Sequence, residues 1–215
     1  RLLLDLIYRS VLRMKVGDDE GEATAPNVFI VNLSLGDRNR PFAGPMSPWG
    51  RLLDYLADRF GILFLVSAGN VSQPLDVPDF AGLIEFEDAS AADREAAILR
   101  ALAQQQAVRT LLSPAESLNA ITVGAWHEDG TPEANSVGVF SPFADEPGPN
   151  ISSALGLGHR KVVKPDIFMP GGRELVRVAG NGANGVSLRL VPPGRLYGLR
   201  CAMPGAGGGL SREGL

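Results

Sequence analysis

Two short segments hold residue types from which a binding or reacting edge could be built: Val31-Asn32-Leu33-Ser34-Leu35-Gly36 and, further on, Val66-Ser67-Ala68-Gly69-Asn70. Each begins as an apolar run and ends in small residues. In open α/β sheets, ligands bind at the carboxyl ends of the strands. Ser34 and Gly36, and Ser67, Ala68 and Gly69, have little side chain there to keep another backbone away. Asn70 adds an amide donor at the same edge. Asn also tolerates left-handed backbone, so on its own Asn70 reads better as a turn residue after Gly69. The paired segment and the motifs downstream decide for the edge.

The elements needed to position these residues follow from periodicity. Leu3, Leu4, Ile7, Val11 and Leu12 recur at helical spacing, which predicts a helix over 1–15 with Arg9 and Arg13 on its wet side. An acidic loop follows over 17–25. Val28 to Leu33 is continuously apolar, the pattern of a parallel strand buried on both faces. Ser47-Pro48 suits an N-cap and first turn. Trp49, Leu52, Leu53, Leu56 and Phe60 form the stripe of that helix, and Gly61 ends it. Ile62 to Val66 is the next buried strand, so the two segments are joined as a right-handed βαβ unit.

Beyond it, Ser90 with Asp93 reads as a capping box for a helix reaching about Gln106. Ser113-Pro114 predicts a short helical turn. Ala120 to Gly124 predicts a third strand, and Val137 to Phe140 a short fourth. Asn150 to Gly158, small and polar, predicts an exposed loop. Glu174–Val178 and Val186–Val191 flank a Gly/Asn turn and predict a hairpin. The Gly-rich run of Gly205 to Gly209 shows no closing element, and both ends read as cut. The fold class is α/β: part of a doubly wound parallel sheet, with an added helix and a C-terminal β-hairpin.

Bulk properties narrow the function. The chain has 215 residues, 45% hydrophobic and 20% charged, the size and make-up of one globular domain. The net charge of -4 favours neither nucleic acid nor an anionic membrane as partner. No apolar run reaches the roughly 18–20 residues of a membrane span. Cys201 is the one cysteine, so no internal disulfide can form, and it reads as a small buried hydrophobe. No cofactor or metal is expected.

The ordered motifs resemble the subtilase family, the subtilisin-like serine peptidases of peptidase family S8. Asn32-Leu33-Ser34-Leu35-Gly36 and Ser67-Ala68-Gly69-Asn70 match in order, followed by Ser113-Pro114-Ala115 with Ile121-Thr122-Val123-Gly124-Ala125, then Phe140-Ser141-Pro142. Lys164-Pro165-Asp166-Ile167 with Met169-Pro170-Gly171 completes the set, Met169 standing where the family usually has Ala. The resemblance implies that Ser34, Leu35 and Gly36 pair with an extended peptide or protein substrate. It implies that Ser67, Ala68 and Gly69 line the primary specificity pocket, and that Asn70 is the oxyanion-hole donor. The reading is one incomplete catalytic domain over 1–215, with core motifs in 28–172, an insertion over 75–112 and the hairpin extension over 174–191.

The sequence also departs from the family. No Asp-Thr-Gly, Asp-Ser-Gly or Gly-Thr-Ser occurs, and neither His127 nor His159 is followed by Gly. The triad needs all three of its members, so its Asp and His are expected before Arg1 and its Ser after Leu215. The chain alone is then expected to be inactive. It is also expected to be poorly stable, or to self-associate through the unpaired edge of the strand at 28–33. The alternative is a pseudo-peptidase, a peptide-binding or regulatory domain whose parent lost the triad; a weaker one is an unrelated α/β ligand-binding domain. Location stays open between export and the bacterial cytoplasm.

Other candidates have plain readings. His127 and His159 read as solvated loop residues. Asp18, Asp19, Glu20 and Glu22 read as a solvated acidic loop, since their spacing is not that of a calcium loop. Gly180-Asn181-Gly182-Ala183-Asn184-Gly185 matches G-x-G-x-x-G, but a strand-like stretch follows it, so a hairpin tip is expected and not a nucleotide site.

Overall fold

Ser47 shows how locally the elements are specified. Its hydroxyl accepts the Gly50 N–H at 3.0 Å, Pro48 takes the first helical position, and Gly61 closes the helix in left-handed geometry at φ 61°. The computed structural model describes residues 3–19, 21–128, 138–144, 146–182, 185–192, 199–202 and 210–213. In chain order these form α1 (Leu3–Lys15), β1 (Gly17–Asp18), β2 (Gly21–Glu22), β3 (Ile30–Leu33), α2 (Pro48–Phe60) and β4 (Leu63–Ser67). Next come β5 (Leu75–Val77), α3 (Leu83–Asp88), α4 (Ala91–Gln104) and β6 (Ala120–Trp126). The remainder are β7 (Gly156–Leu157), β8 (Val163–Lys164), β9 (Ile167–Pro170), β10 (Val176–Gly180), β11 (Val186–Leu190), β12 (Leu199–Ala202) and β13 (Leu210–Glu213).

The main sheet has the order β3-β4-β6-β9, the mixed α/β architecture expected. β3 and β4 run parallel, with Ile30 opposite Leu63 and Leu33 opposite Val66; β4 and β6 run parallel, with Phe64 opposite Ala120. The chain folds as two compact units, the first comprising 1–70, 110–124 and 154–167. Its core gathers Val11 of α1, Leu53 and Leu56 of α2, and Phe64 and Val66 of β4, with Leu111 and Ala115. Each of these side chains larger than alanine contributes about 1.5–3 kcal/mol by leaving water.

The continuous apolar run at β3 is not buried on both faces as its pattern suggested. Phe29 is 65% and Ile30 50% exposed, because β3 is an edge strand of the described sheet and only β4 covers it. The acidic loop holds a short hairpin, β1 with β2; Glu20 lies outside the described residues. Ser113–Glu116 is a non-helical turn. There the buried Glu116 accepts the Ser47 N–H at 3.0 Å and the Ser113 hydroxyl at 3.3 Å.

The second unit comprises 71–109, 125–153 and 168–215. Here the segments 75–112 and 174–191 become one structure. β5 pairs antiparallel with β11 of the hairpin, giving a sheet of order β10-β11-β5. Leu75, Val77, Val176, Val186 and Leu188 from that sheet pack with Phe86, Ile98, Ala101 and Leu102 of α3 and α4. Ser90 caps α4 as expected, accepting the Asp93 N–H at 3.1 Å, and the helix ends at Gln104, not Gln106. α3 and β5 had no sequence-level expectation.

Part of the predicted exposed loop falls here too, and it is buried. Asn150 to Ser153 are buried, and most of their polar groups are met internally, although Asn150 Oδ1 has no partner among the described residues. Ser152 donates to Glu174, the Ser153 hydroxyl accepts the Ala125 N–H, and Asn150 donates to the Gly172 carbonyl. The Gly-rich end carries a further pair, β12 with β13, where no closing element was expected. Cys201 lies in β12. Phe140 bridges Val176, while Val137 lies outside the described residues.

Candidate peptide-binding edge

β3 and β4 deliver their last residues side by side. Leu33 lies opposite Val66, and both chains continue beyond the sheet as Ser34-Leu35-Gly36 and Ala68-Gly69-Asn70. A Cβ placed on Gly36 would lie 3.8 Å from the Gly69 Cα and 3.3 Å from the Leu112 Cβ. The two strand ends therefore share one small area, floored by Leu112. Gly69 itself sits at φ 109°, and a Cβ there would meet Leu112 Cγ at 2.5 Å, so both backbone and space demand glycine.

The neighbouring groups fix this geometry. Ala68 donates to Val123 at 2.9 Å and accepts from Leu112 at 3.0 Å, while Gly69 accepts from Ala154 at 3.0 Å. The Ser67 hydroxyl accepts the Gly69 N–H at 3.2 Å, and the Ser34 hydroxyl donates to Asn32 Oδ1 at 3.3 Å. Ala68 is buried, whereas Ser34, Leu35, Gly36 and Asn70 are exposed. Leu35 donates back to Leu33, but the backbone groups of Ser34 and Gly36 bond to nothing among the described residues. The Asn70 side chain likewise has no hydrogen-bond partner among them. Exposed, unpaired backbone groups are what an added extended strand satisfies.

The Lys164-Pro165-Asp166 stretch proves to be a stitch and not part of that edge. The buried Lys164 ammonium donates to the Ala120 carbonyl at 3.0 Å and to Asp166 at 2.6 Å. The same Asp166 oxygen accepts the Thr122 N–H at 2.6 Å. Gly171 is fixed by space, since a Cβ there would strike the Ala125 Cβ at 2.4 Å.

The two histidines differ from their expected solvated state. His127 is 5% exposed. Its Nδ1 accepts the Glu174 N–H at 3.2 Å, which places the proton on Nε2, 3.1 Å from the Ser141 hydroxyl. That hydroxyl donates to the Phe143 carbonyl, so it accepts a hydrogen bond from the ring and donates none to it. A catalytic base needs the reverse arrangement. His159 is half-buried, its Nδ1 3.4 Å from the Gly44 carbonyl.

Sequence reasoning missed a buried polar network in the second unit. Arg109 is fully buried and donates to the Ile151 and Gln73 carbonyls. Burial pushes the Glu174 carboxyl above its ordinary range, against the hydrogen bonds from Ser152 and the attraction of Arg109. Burial also lowers Arg109, against the pull of Glu174. No local pattern marks either residue, because their partners are remote in sequence. Among the described residues no group of three or more His, Cys, Asp or Glu could hold a metal ion, and no helix is long and apolar enough to cross a membrane.

Fold and edge together define an α/β protein whose ligand site would lie beyond the carboxyl ends of parallel strands. The sequence pattern of the subtilase family matches residues 10–198, and the chain belongs to that family. It is similar to the uncharacterized protein y4bN of Sinorhizobium fredii, 31% identical over 150 residues. That match takes in 67% of this chain and 31% of the relative, so the chain spans about a third of its length.

Proposed function

We propose that this chain is the substrate-holding part of a serine endopeptidase that cleaves peptide bonds through an acyl-enzyme. Ser34, Leu35 and Gly36 pair with the extended substrate backbone. Ser67, Ala68 and Gly69 line the pocket for the side chain before the scissile bond. Asn70 donates to the oxyanion of the tetrahedral intermediate, where a positioned donor counts most. One observation carries the reading: unpaired backbone at Ser34 and Gly36 lies beside Gly69, and the next residue is an exposed amide with no partner among the described residues. The nucleophile, base and orienting carboxylate belong, in this reading, to the whole protein beyond these residues.

The test uses the full-length protein. A fluorophosphonate probe should label one serine outside this chain. Asn70→Ala should cut kcat about 10²–10³-fold with little change in KM, a magnitude that belongs to subtilisin, the type case of this effect. An unlabelled full-length protein that still binds extended peptides would instead be a pseudo-peptidase. An active protein indifferent to Asn70→Ala would remove Asn70 from the oxyanion hole.

A further inference from the structure

The first unit carries a concentration of positive charge that its overall balance hides. The β7–β8 hairpin pairs Gly156 with Lys164 and Leu157 with Val163, and its tip is His159-Arg160-Lys161. Arg160 and Lys161 are exposed and take left-handed backbone, at φ 56° and 64°. Two successive non-glycine residues in that region are held against their own preference. The chain leaving Gly36 carries Arg38 and Arg40, both exposed, with Asp37 3.7 Å from Arg40 as the facing carboxylate. Arg38, Arg160 and Lys161 form no ion pair among the described residues.

One short segment, 111–113, ties these pieces together. Asp37 donates to the Ser113 carbonyl and Phe42 to that of Leu111, while the Arg40 carbonyl accepts from Ser113. Leu112 packs under Gly36 and Gly69, and a Cβ on Gly158 would lie 3.7 Å from Leu111 Cδ1. The His159 ring reaches Gly44. The cationic loop is thus bonded to the segment that floors the Ser34–Gly36 edge, and the cationic tip lies next to that segment and that loop.

We propose that Arg160 and Lys161, with Arg38 and Arg40, form a cationic subsite beside this edge that selects peptide substrates carrying acidic side chains. The inference rests on the peptide-pairing role proposed for Ser34–Gly36 and adds the substrate class. The peptide backbone would be held by the unpaired groups of the edge, and its carboxylates by the exposed Arg38, Arg160 and Lys161 groups, with Arg40 shared with Asp37. Arginine suits this because its planar fork takes a carboxylate through two parallel bonds.

Two fluorescein-labelled extended peptides of equal length, one with three Glu and one with three Lys at matched positions, are titrated against the full-length protein, its nucleophile blocked by prior fluorophosphonate treatment or, if it has none, as it stands. The Glu peptide should bind about fivefold or more tightly at low salt, the gap closing as salt screens exposed charges. Replacing Arg160 and Lys161 together by Gly suits the left-handed backbone and should erase most of that gap without moving the Lys peptide. Equal binding of both peptides, or an unchanged gap in the double variant, overturns the subsite while leaving the peptide edge in place. If neither peptide binds, the edge and the subsite fall together. A duplex DNA that displaces the Glu peptide at lower concentration than unlabelled Glu peptide overturns the peptide assignment in favour of nucleic acid.

Discussion

At the scale of single residues, Gly69 bears the tightest constraint at the candidate edge. Its left-handed φ of 109° and the 2.5 Å approach of Leu112 Cγ to any added Cβ act in the same direction. Gly69→Ala should therefore destabilise the protein by about 2–4 kcal/mol, combining backbone strain with overpacking. The denaturation midpoint should fall at constant slope. A variant as stable as the parent would show that the strand ends do not meet as described. The neighbouring Asn70 is unlike Gly69: it is exposed, and its amide has no hydrogen-bond partner among the described residues.

At the scale of elements, the buried stretch around Ser152 depends on a carboxyl that burial disfavours as an anion. Glu174 is raised in the folded state, so the folded protein holds a proton that the unfolded chain releases. Folded stability from this group is then greatest at low pH and falls as pH rises from the ordinary carboxylate range through the raised folded value. Glu174→Gln cannot titrate. Relative to the parent it should gain as pH climbs through that window, by at most about 1.4 kcal/mol per pH unit. The attraction to Arg109 acts only on the ionised carboxyl and is outweighed by burial in the net upward shift, so the sign of the slope stands. Parallel stability curves from pH 4.5 to 8 would mean that burial does not raise the Glu174 carboxyl in the folded state.

At the scale of the whole molecule, the second unit is assembled from segments that look like separate additions in the sequence. β11 sits between β10 and β5, with Leu188 opposite Leu75, and both side chains are fully buried. Leu188→Ala should cost about 2–5 kcal/mol. The double variant with Leu75→Ala should depart from additivity by about 0.5 kcal/mol or more, because each removal opens space for the other. Strictly additive losses would show that the insertion and the hairpin are stabilised independently.

What the sequence determined by itself is local or periodic. The cap at Ser47, the stop at Gly61, the cap at Ser90, the hairpin around Gly182 and the parallel pairing of the two motif strands all follow from short-range rules, and all appear in the structure. The order of the motifs was enough to identify the family, now matched over 10–198. Burial was another matter. An apolar run at β3 proved exposed because an edge strand has one neighbour, and polar Ser152 and Ser153 proved buried because partners remote in sequence bond to them. Only tertiary structure could join β5 to β11, place Leu112 beneath Gly36 and Gly69, or bring the cationic tip next to the same segment. Such contacts link residues far apart along the chain, and chain connectivity alone specifies neither their distance nor their access to water.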